Sequence, residues 1–241
     1  MLNKVALISD IQGNFTALQH VFAHFESEGV EQVICLGDVA SGPYPQEVLK
    51  LLRQKQTLVI KGNMDDTILN PRRHLSDEIE TQHYDDIDLW CSQQLSDVDK
   101  AYIRSFHPIF TINLTDNKNL LCFHGSPYSY NSVIDETLSD AQLEQLLDGY
   151  TEDIMATGHM HHPFLRKYEQ SWIINPGSVG LPRKQNEKHP LFAEYALVAI
   201  EDGQLQIDFR QVAIDPDEFK EGIRKSGMPH TEWFLSQWQL P

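Results

Sequence analysis

Two imidazoles one residue apart, in Gly158-His159-Met160-His161, are the side chains of this sequence best placed to do chemistry. On a loop at a strand end, His159 and His161 can both turn toward one metal centre. Four acceptor clusters precede them: Asp10-Ile11-Gln12-Gly13-Asn14, Gly37-Asp38, Gly62-Asn63-Met64-Asp65 and His124-Gly125. Each follows a short apolar run, and each offers an oxygen or nitrogen to a hard or borderline cation. A carboxylate has two oxygens, so Asp38 can bridge two cations about 3.5–4 Å apart, the spacing of a two-metal hydrolase. Such a pair polarises a phosphoryl oxygen and lowers the pKa of a bridging water. Aspartate, asparagine and histidine without thiolate suit manganese, iron or zinc better than copper or an iron–sulfur cluster. That chemistry fixes a reaction class and leaves the substrate open.

Singly, these residues have plainer uses. Strand-end aspartates such as Asp10 and Asp38 commonly serve as turn residues or caps, and Asn63 alone would be a turn asparagine. Their recurrence in one ordered series makes them ligands. Asp65 either hydrogen-bonds a ligating group or begins a helix. Asn14 reads first as a helix cap and second as a phosphate contact. Arg183 reads equally as a phosphate contact and as a loop-stabilising ion pair. Tyr44 reads as loop packing, with base stacking as the sharper alternative. His162, the Arg72-Arg73-His74 run and the Asp85, Asp86, Asp88 series all read as solvated surface, the last because it lacks the glycine and glutamate of a calcium loop.

The elements that must position the clusters follow from hydrophobic patterning. Continuous apolar runs at Lys4–Ser9, Gln32–Leu36 and Thr57–Ile60 predict buried parallel strands. Between them lie a helix capped by Asn14 that ends at Gly29, and a helix around 46–54. Strand, loop and helix repeated in this way predict a parallel sheet whose carboxyl ends converge on one rim. The span 64–105 is polar, acidic and helical in pattern, with Ser76 and Ser96 as caps. Hairpins are predicted around Asp116-Asn117, Glu169-Gln170 and Asp202-Gly203, a helix near 140–147, and a strand at 153–157 that delivers Gly158-His159. The two halves are expected to give one sheet each, parallel in the first and mostly antiparallel in the second. With no repeat or linker, residues 1–241 read as one domain carrying a C-terminal helical extension from about 216. Trp233, Phe234 and Trp238 in that extension suggest a helix docked on the domain, with a homo-oligomer contact as the alternative.

Composition narrows the partners. The 41% apolar share of 241 residues suits a globular chain with a real core. A net charge of -16, from 35 acidic and 19 basic residues, opposes duplex nucleic acid and leaves a local metal pair as the means of attracting a phosphate. No run is long enough for a membrane helix, and Met1-Leu2-Asn3-Lys4 leads into a strand rather than a signal peptide. Three scattered cysteines, Cys35, Cys91 and Cys122, read as core residues of a reducing compartment, so a cytoplasmic protein is expected.

The ordered motifs DxQGN, GD, GN, HGS and GHMH resemble those of the calcineurin-like metallophosphoesterases, and more closely their small bacterial and archaeal phosphodiesterase-type branch. Asn175-Pro176-Gly177-Ser178 through Pro182-Arg183 matches a segment typical of that branch. The likeness runs from about Val5 to Arg183. It implies an α/β fold, a four-layer α-β-β-α sandwich of two mixed sheets flanked by helices. It also implies two divalent ions, manganese or iron first, with zinc, nickel or magnesium as alternatives. Asp10, Asp38 and His161 would hold the first, and Asp38, Asn63, His124 and His159 the second, with Asp38, Asn63 and His124 nearest the reaction. The implied activity is hydrolysis of small phosphate esters, phosphodiesters or nucleotides. Rival expectations are a phosphomonoesterase and a degenerate member that binds metal or nucleotide without turnover. Two departures matter. Gln12 stands where the family has a histidine ligand, and its carbonyl is a weaker donor or a holder of a ligating water. Met64 replaces a histidine that assists the leaving group in many relatives, so good leaving groups are expected.

Overall fold

Val5-Ala6-Leu7-Ile8 is apolar at every position, and such a strand must be covered on both faces. In the computed structural model, which describes residues 4–115, 117–201 and 203–240, this run is β1 (Lys4–Ile8), the middle of a five-stranded sheet. β2 (Gln32–Cys35) and β3 (Leu58–Val59) continue parallel on one side, reached through α1 (Phe15–Glu28) and α2 (Pro45–Gln54). Asn14 caps α1, its side chain accepting from the Ala17 N–H at 3.1 Å. On the other side of β1 lie β9 (Phe192–Glu201) and then β10 (Gln204–Ala213), both antiparallel to their neighbours.

That arrangement corrects the expectation of one sheet per half. The late hairpin returns to complete the first sheet. β9 turns Ala196 and Val198 toward the opposite sheet and Ala193, Tyr195 and Leu197 toward the helices. Only an interior position buries both faces, whereas β10 alternates in exposure as an edge strand does. The second sheet, ordered β4-β5-β6-β8-β7, is also not mostly antiparallel. β5 (Lys118–Cys122), β6 (Ile154–Ala156) and β8 (Ser171–Pro176) run parallel through its centre, with β4 (Phe110–Thr115) and β7 (Pro163–Tyr168) antiparallel at the edges. The hairpin turns expected at Asp116-Asn117 and Asp202-Gly203 include Asp116 and Asp202, which lie outside the described residues, as do Met1, Leu2 and Asn3.

Leu7, Ile34, Leu36, Leu120, Ile154 and Ile174 interdigitate between the sheets. Outside the first sheet pack α1, α2, α3 (Asn63–Leu69), α4 (Ile79–Gln94), α5 (Asp97–Arg104), α7 (Pro216–Lys225) and α8 (Thr231–Ser236). Outside the second sheet, α6 (Asp140–Leu147) buries Leu143 and Leu147. The result is the four-layer sandwich of two mixed sheets. No helix of the described residues is long and apolar enough to cross a membrane, and all three cysteines are buried and unpaired.

Several surface expectations are overturned. Ser76 does not cap α4, which begins two residues beyond Asp77 with Glu78 at its cap, while Ser96 does cap α5. Asp85 and Asp88 are buried rather than solvated, because α4 turns them inward beneath the 70–78 loop. Arg73 and His74 remain exposed as expected, although they pair with Asp86 and Asp85 respectively. Tyr44 packs as expected, beside Phe15, and donates to the Gly222 carbonyl at 2.6 Å.

The C-terminal aromatics are spent inside the chain. Trp238 and Phe234 are buried in the core shared with α7, and Trp233 meets His83 and Tyr84 edge-on. His189 seals this tail. Its ring leans on Trp238, its Nδ1 pairs with the Pro182 carbonyl at 2.6 Å, and its backbone N–H donates to the Gln237 carbonyl. Burial lowers its pKa from 6.5 to about 4. Below pH 6.5 the unfolded chain therefore takes up a proton that the folded chain refuses until about pH 4, so stability falls across that window. Urea midpoints should show a loss on the order of 2 kcal/mol from this group between pH 7 and pH 4. His189→Gln, which cannot titrate, should flatten that slope; an unchanged slope would assign the acid sensitivity elsewhere.

Candidate metal centre

Every cluster singled out in the sequence lies at the carboxyl end of a strand or just beyond it. β1 delivers Asp10 and Gln12, β2 delivers Asp38, β3 leads to Asn63 at the start of α3, β5 to His124, and β6 to His159 and His161. These strands belong to two sheets, and their ends meet across the top of the sandwich. Asp38, His124 and His159 each offer a ligand atom within 4.8 Å of the others, and so do Asp10, Asp38 and His161. Asp38 is common to both groups. Asn63 Oδ1 stands 3.0 Å from His124 Nε2, and Gln12 Nε2 donates to Asp38 Oδ2 at 3.3 Å.

The backbone is bent to achieve this. Asp10, Gln12, Asp38, His159 and His161 all adopt positive φ, between 49° and 68°, a conformation that costs non-glycine residues of order 1–3 kcal/mol each and clusters at functional sites. Hydrogen bonds hold it: the Asp10 N–H donates to Gly37 O, the Gln12 N–H to Asp38 O and the Gly158 N–H to His124 O. The glycine of each motif is a matter of space. A Cβ on Gly62 would lie 2.1 Å from Asp38 Oδ1, and one on Gly158 would lie 2.1 Å from Ser9 Oγ.

The donor set fits divalent cations. His124 and His161 each turn Nδ1 outward to a backbone carbonyl, Leu36 at 2.7 Å and Leu181 at 2.6 Å. That bond fixes the tautomer and leaves Nε2 as an inward electron pair, the usual arrangement of a metal-ligating histidine. Asp10 is fully buried; Oδ2 accepts from the His159 N–H, while Oδ1 has no hydrogen-bond partner although His161 Nε2 is 3.1 Å away. Two acceptors so placed converge on a common point. The local field also calls for positive charge. Burial opposes protonation of His124, yet the Asp38 carboxylate outweighs it and lifts that imidazole to about 9. Burial, then repulsion from Asp38, pushes Asp65 up to about 7. A cation beside Asp38 would relieve both.

Sequence reasoning left Asp65 between two roles and gave Asn175 and Ser178 no bracing role. Asp65 accepts from the Asp38 N–H (3.0 Å), the Val39 N–H (3.0 Å) and the Gly62 N–H (2.8 Å), so it fixes the Asp38 loop. Asn175 Nδ2 donates to the Gly158 carbonyl at 2.7 Å, and Ser178 Oγ donates to the Asp10 carbonyl at 2.8 Å. The Asn-Pro-Gly-Ser segment thus braces both the first cluster and the last. Motif spacing does not reveal such roles, because apart from the Gly62 bond, three residues from Asp65, each is a contact across more than fifteen residues of chain. Asn14 and Arg183, the expected substrate contacts, do not join the ligands. The amide of Asn14 is consumed by Ala17 and by the Gly180 carbonyl. Arg183 is exposed and lines a separate hollow with His162 and Glu194, on the far side of His161. His162 itself faces Glu136 at 3.3 Å.

The ligands open into a cavity of about 370 Å³. Gln12, Asp38, Asn63, His159 and His161 form its floor; Met64, Tyr84, Ile87, Leu181 and Phe234 supply an apolar wall; and His74, Asp85 and Asp88 lie along the remaining side. Neither lysine nor arginine lines it.

Comparison with known proteins agrees with this geometry. MJ0912 of Methanocaldococcus jannaschii is 25% identical over 254 residues, covering 96% of this chain and 95% of that protein. A metallophosphoesterase from Sphaerobacter thermophilus superposes with a TM-score of 0.73 at 21% identity, covering 98% and 99% of the two chains. PH1004 from Pyrococcus horikoshii gives 0.77 at 21%, covering 98% and 97%. Residues 4–203 match the model of the calcineurin-like phosphoesterase superfamily domain, a span that holds both sheets' site-bearing strands, and the chain therefore belongs to that superfamily.

Proposed function

We propose that the protein is a divalent-metal-dependent phosphodiesterase acting on small molecules, with manganese or iron as the working ions in a reducing, cytoplasmic setting. The observation that carries this reading is Asp38, shared between two three-residue clusters on the floor of a cavity without a single lysine or arginine. Ions bound there would supply Lewis acidity toward a phosphoryl oxygen and toward water. The chain's own part is placement. His124 and His161 keep Nε2 inward through their carbonyl partners, and Asp65 holds the loop that presents Asp38. A phosphodiester carries one negative charge, which the site can meet with little further help. A monoester dianion or a polyphosphate would bring more charge against Asp85 and Asp88, with no lysine or arginine among the described lining residues to receive it. The apolar wall suits an aromatic or aliphatic substituent on the phosphate.

The test compares bis(p-nitrophenyl) phosphate with p-nitrophenyl phosphate after purification without chelators and addition of manganese. The diester should be preferred by at least about tenfold in kcat/KM, a difference of about 1.4 kcal/mol. Preference for the monoester would sink the diesterase reading, and silence toward both with manganese, iron, zinc or magnesium would sink the hydrolase. A second reading, metal binding without turnover, draws on Gln12, whose amide nitrogen rather than a histidine ring faces Asp38; the same assay decides between them.

A further inference from the structure

The cavity holds one histidine that is not part of the ligand set. His74 lies in the 70–78 loop and lines the same cavity as Asp38, Asn63 and His159. It also lines an adjoining hollow together with Asn63 and Met64. The loop is clamped at this residue. The carboxylate of Asp85, buried on α4, accepts the His74 backbone N–H at 2.6 Å through Oδ2 and faces His74 Nδ1 at 2.6 Å through Oδ1. Arg73 is pinned beside it on Asp86, which also meets His230. His74 Nε2 has no partner among the described residues and is free to meet a ligand, the ring being 67% exposed. A buried carboxylate on Nδ1 and a free Nε2 form an oriented, proton-bearing dyad.

Departure of an ester oxygen from phosphorus needs a proton donor within the cavity. The histidines on the floor would serve as electron-pair donors toward bound cations, and Met64 has no proton to give. Resting on the phosphodiesterase reading above, we propose that His74, oriented by Asp85 at the side of the cavity, is the general acid that protonates the leaving-group oxygen. As water oxygen bonds to phosphorus, the bond to the ester oxygen breaks, its electron pair stays with that oxygen, and the proton on His74 Nε2 moves to it. The attacking water loses a proton to solvent, and neutral His74 regains one from solvent, so charge and protons balance. Asp85 is then a positioning residue. The hydrogen bond and charge of Asp85, with a further contribution from Asp88, raise the His74 pKa; Asp66 on α3, Arg72 and the phenol of Tyr130 line the hollows beside His74, and Asp77 and Glu78 lie further along the loop itself. A raised pKa favours the acid role.

A general acid matters in proportion to how poorly the leaving group bears negative charge. His74→Asn should slow hydrolysis of diphenyl phosphate about 100-fold in kcat while slowing bis(p-nitrophenyl) phosphate less than about fivefold. Asp85→Asn should shift the alkaline limb of the diphenyl phosphate pH profile to lower pH, and an NMR titration of the His74 ring should move the same way. Equal losses on both esters, or an alkaline limb indifferent to Asp85→Asn, would overturn the assignment of His74 while leaving the hydrolase standing. A wild-type protein inert toward both esters would overturn both readings. Melting curves of the two variants exclude unfolding as the cause of any loss.

Discussion

Asp38→Asn is expected to lower kcat/KM by about 10³-fold, the scale of removing a preorganised charge-stabilising group, and to reduce bound metal to one ion per chain or fewer. Asp38 is the one carboxylate present in both clusters, so a single substitution would reach both candidate sites. Asparagine keeps its volume and can keep the 2.8 Å acceptance of the Met64 N–H at Oδ1. The new Nδ2 would instead face two groups that now look toward Oδ2, Gln12 Nε2 at 3.3 Å and His124 Nε2 at 3.4 Å. Charge and bridging capacity go together. The fold should not suffer. Asp38 repels the Asp65 carboxylate but attracts the His124 imidazole, and these opposing losses should leave the metal-free variant melting close to metal-free wild type. Metal analysis by mass spectrometry, activity and apoprotein melting make three independent readouts. Two metals per chain with more than a tenth of the activity retained would refute the shared-ligand site.

The second large effect is expected one contact further out. Asp65→Asn should reduce activity about 100-fold, the consequence of displacing a catalytic group by about an ångström, without touching any ligand atom. Asp65 uses both oxygens on three backbone N–H donors, at Asp38, Val39 and Gly62. An amide has only one oxygen, so its NH₂ must oppose at least one of those donors. A buried unsatisfied N–H costs about 1–3 kcal/mol, and the loop it loosens is the one that holds Asp38 at φ 55°. Lower melting temperature and weaker metal retention should accompany the lost activity. Asp66→Asn is the control, since that side chain is 53% exposed and pairs with Lys61 at 3.3 Å; a loss there as large as at Asp65 would mean that the helix start, rather than the three hydrogen bonds, is what matters.

Motif order carried far because strand-end loops keep their ligands local to each strand. Asp10, Asp38, Asn63, His124, His159 and His161 are each tied to one apolar run, so a reader of the sequence can find them one at a time. Other assignments failed where contacts span the chain. Asp85 and Asp88 look solvated within α4 because their partners, His74 and Ser41, lie 11 and 47 residues away. Asn14 caps α1 as its pattern predicts, and only the fold shows that Gly180, 166 residues on, also takes its amide. β9 looks like half of an isolated hairpin until the open edge of β1 claims it.

The sequence by itself determined the ligand types, their order and the strands that carry them, since apolar period and strand-end chemistry are properties of neighbouring residues. Only the tertiary structure decided which sheet each strand joins, that five of the site residues sit at positive φ, that Asp65, Asn175 and Ser178 brace the ligands, and that His74 shares their cavity. Those outcomes depend on which buried polar groups find partners across the chain, and that pairing is settled when the layers pack, not along any one stretch of it.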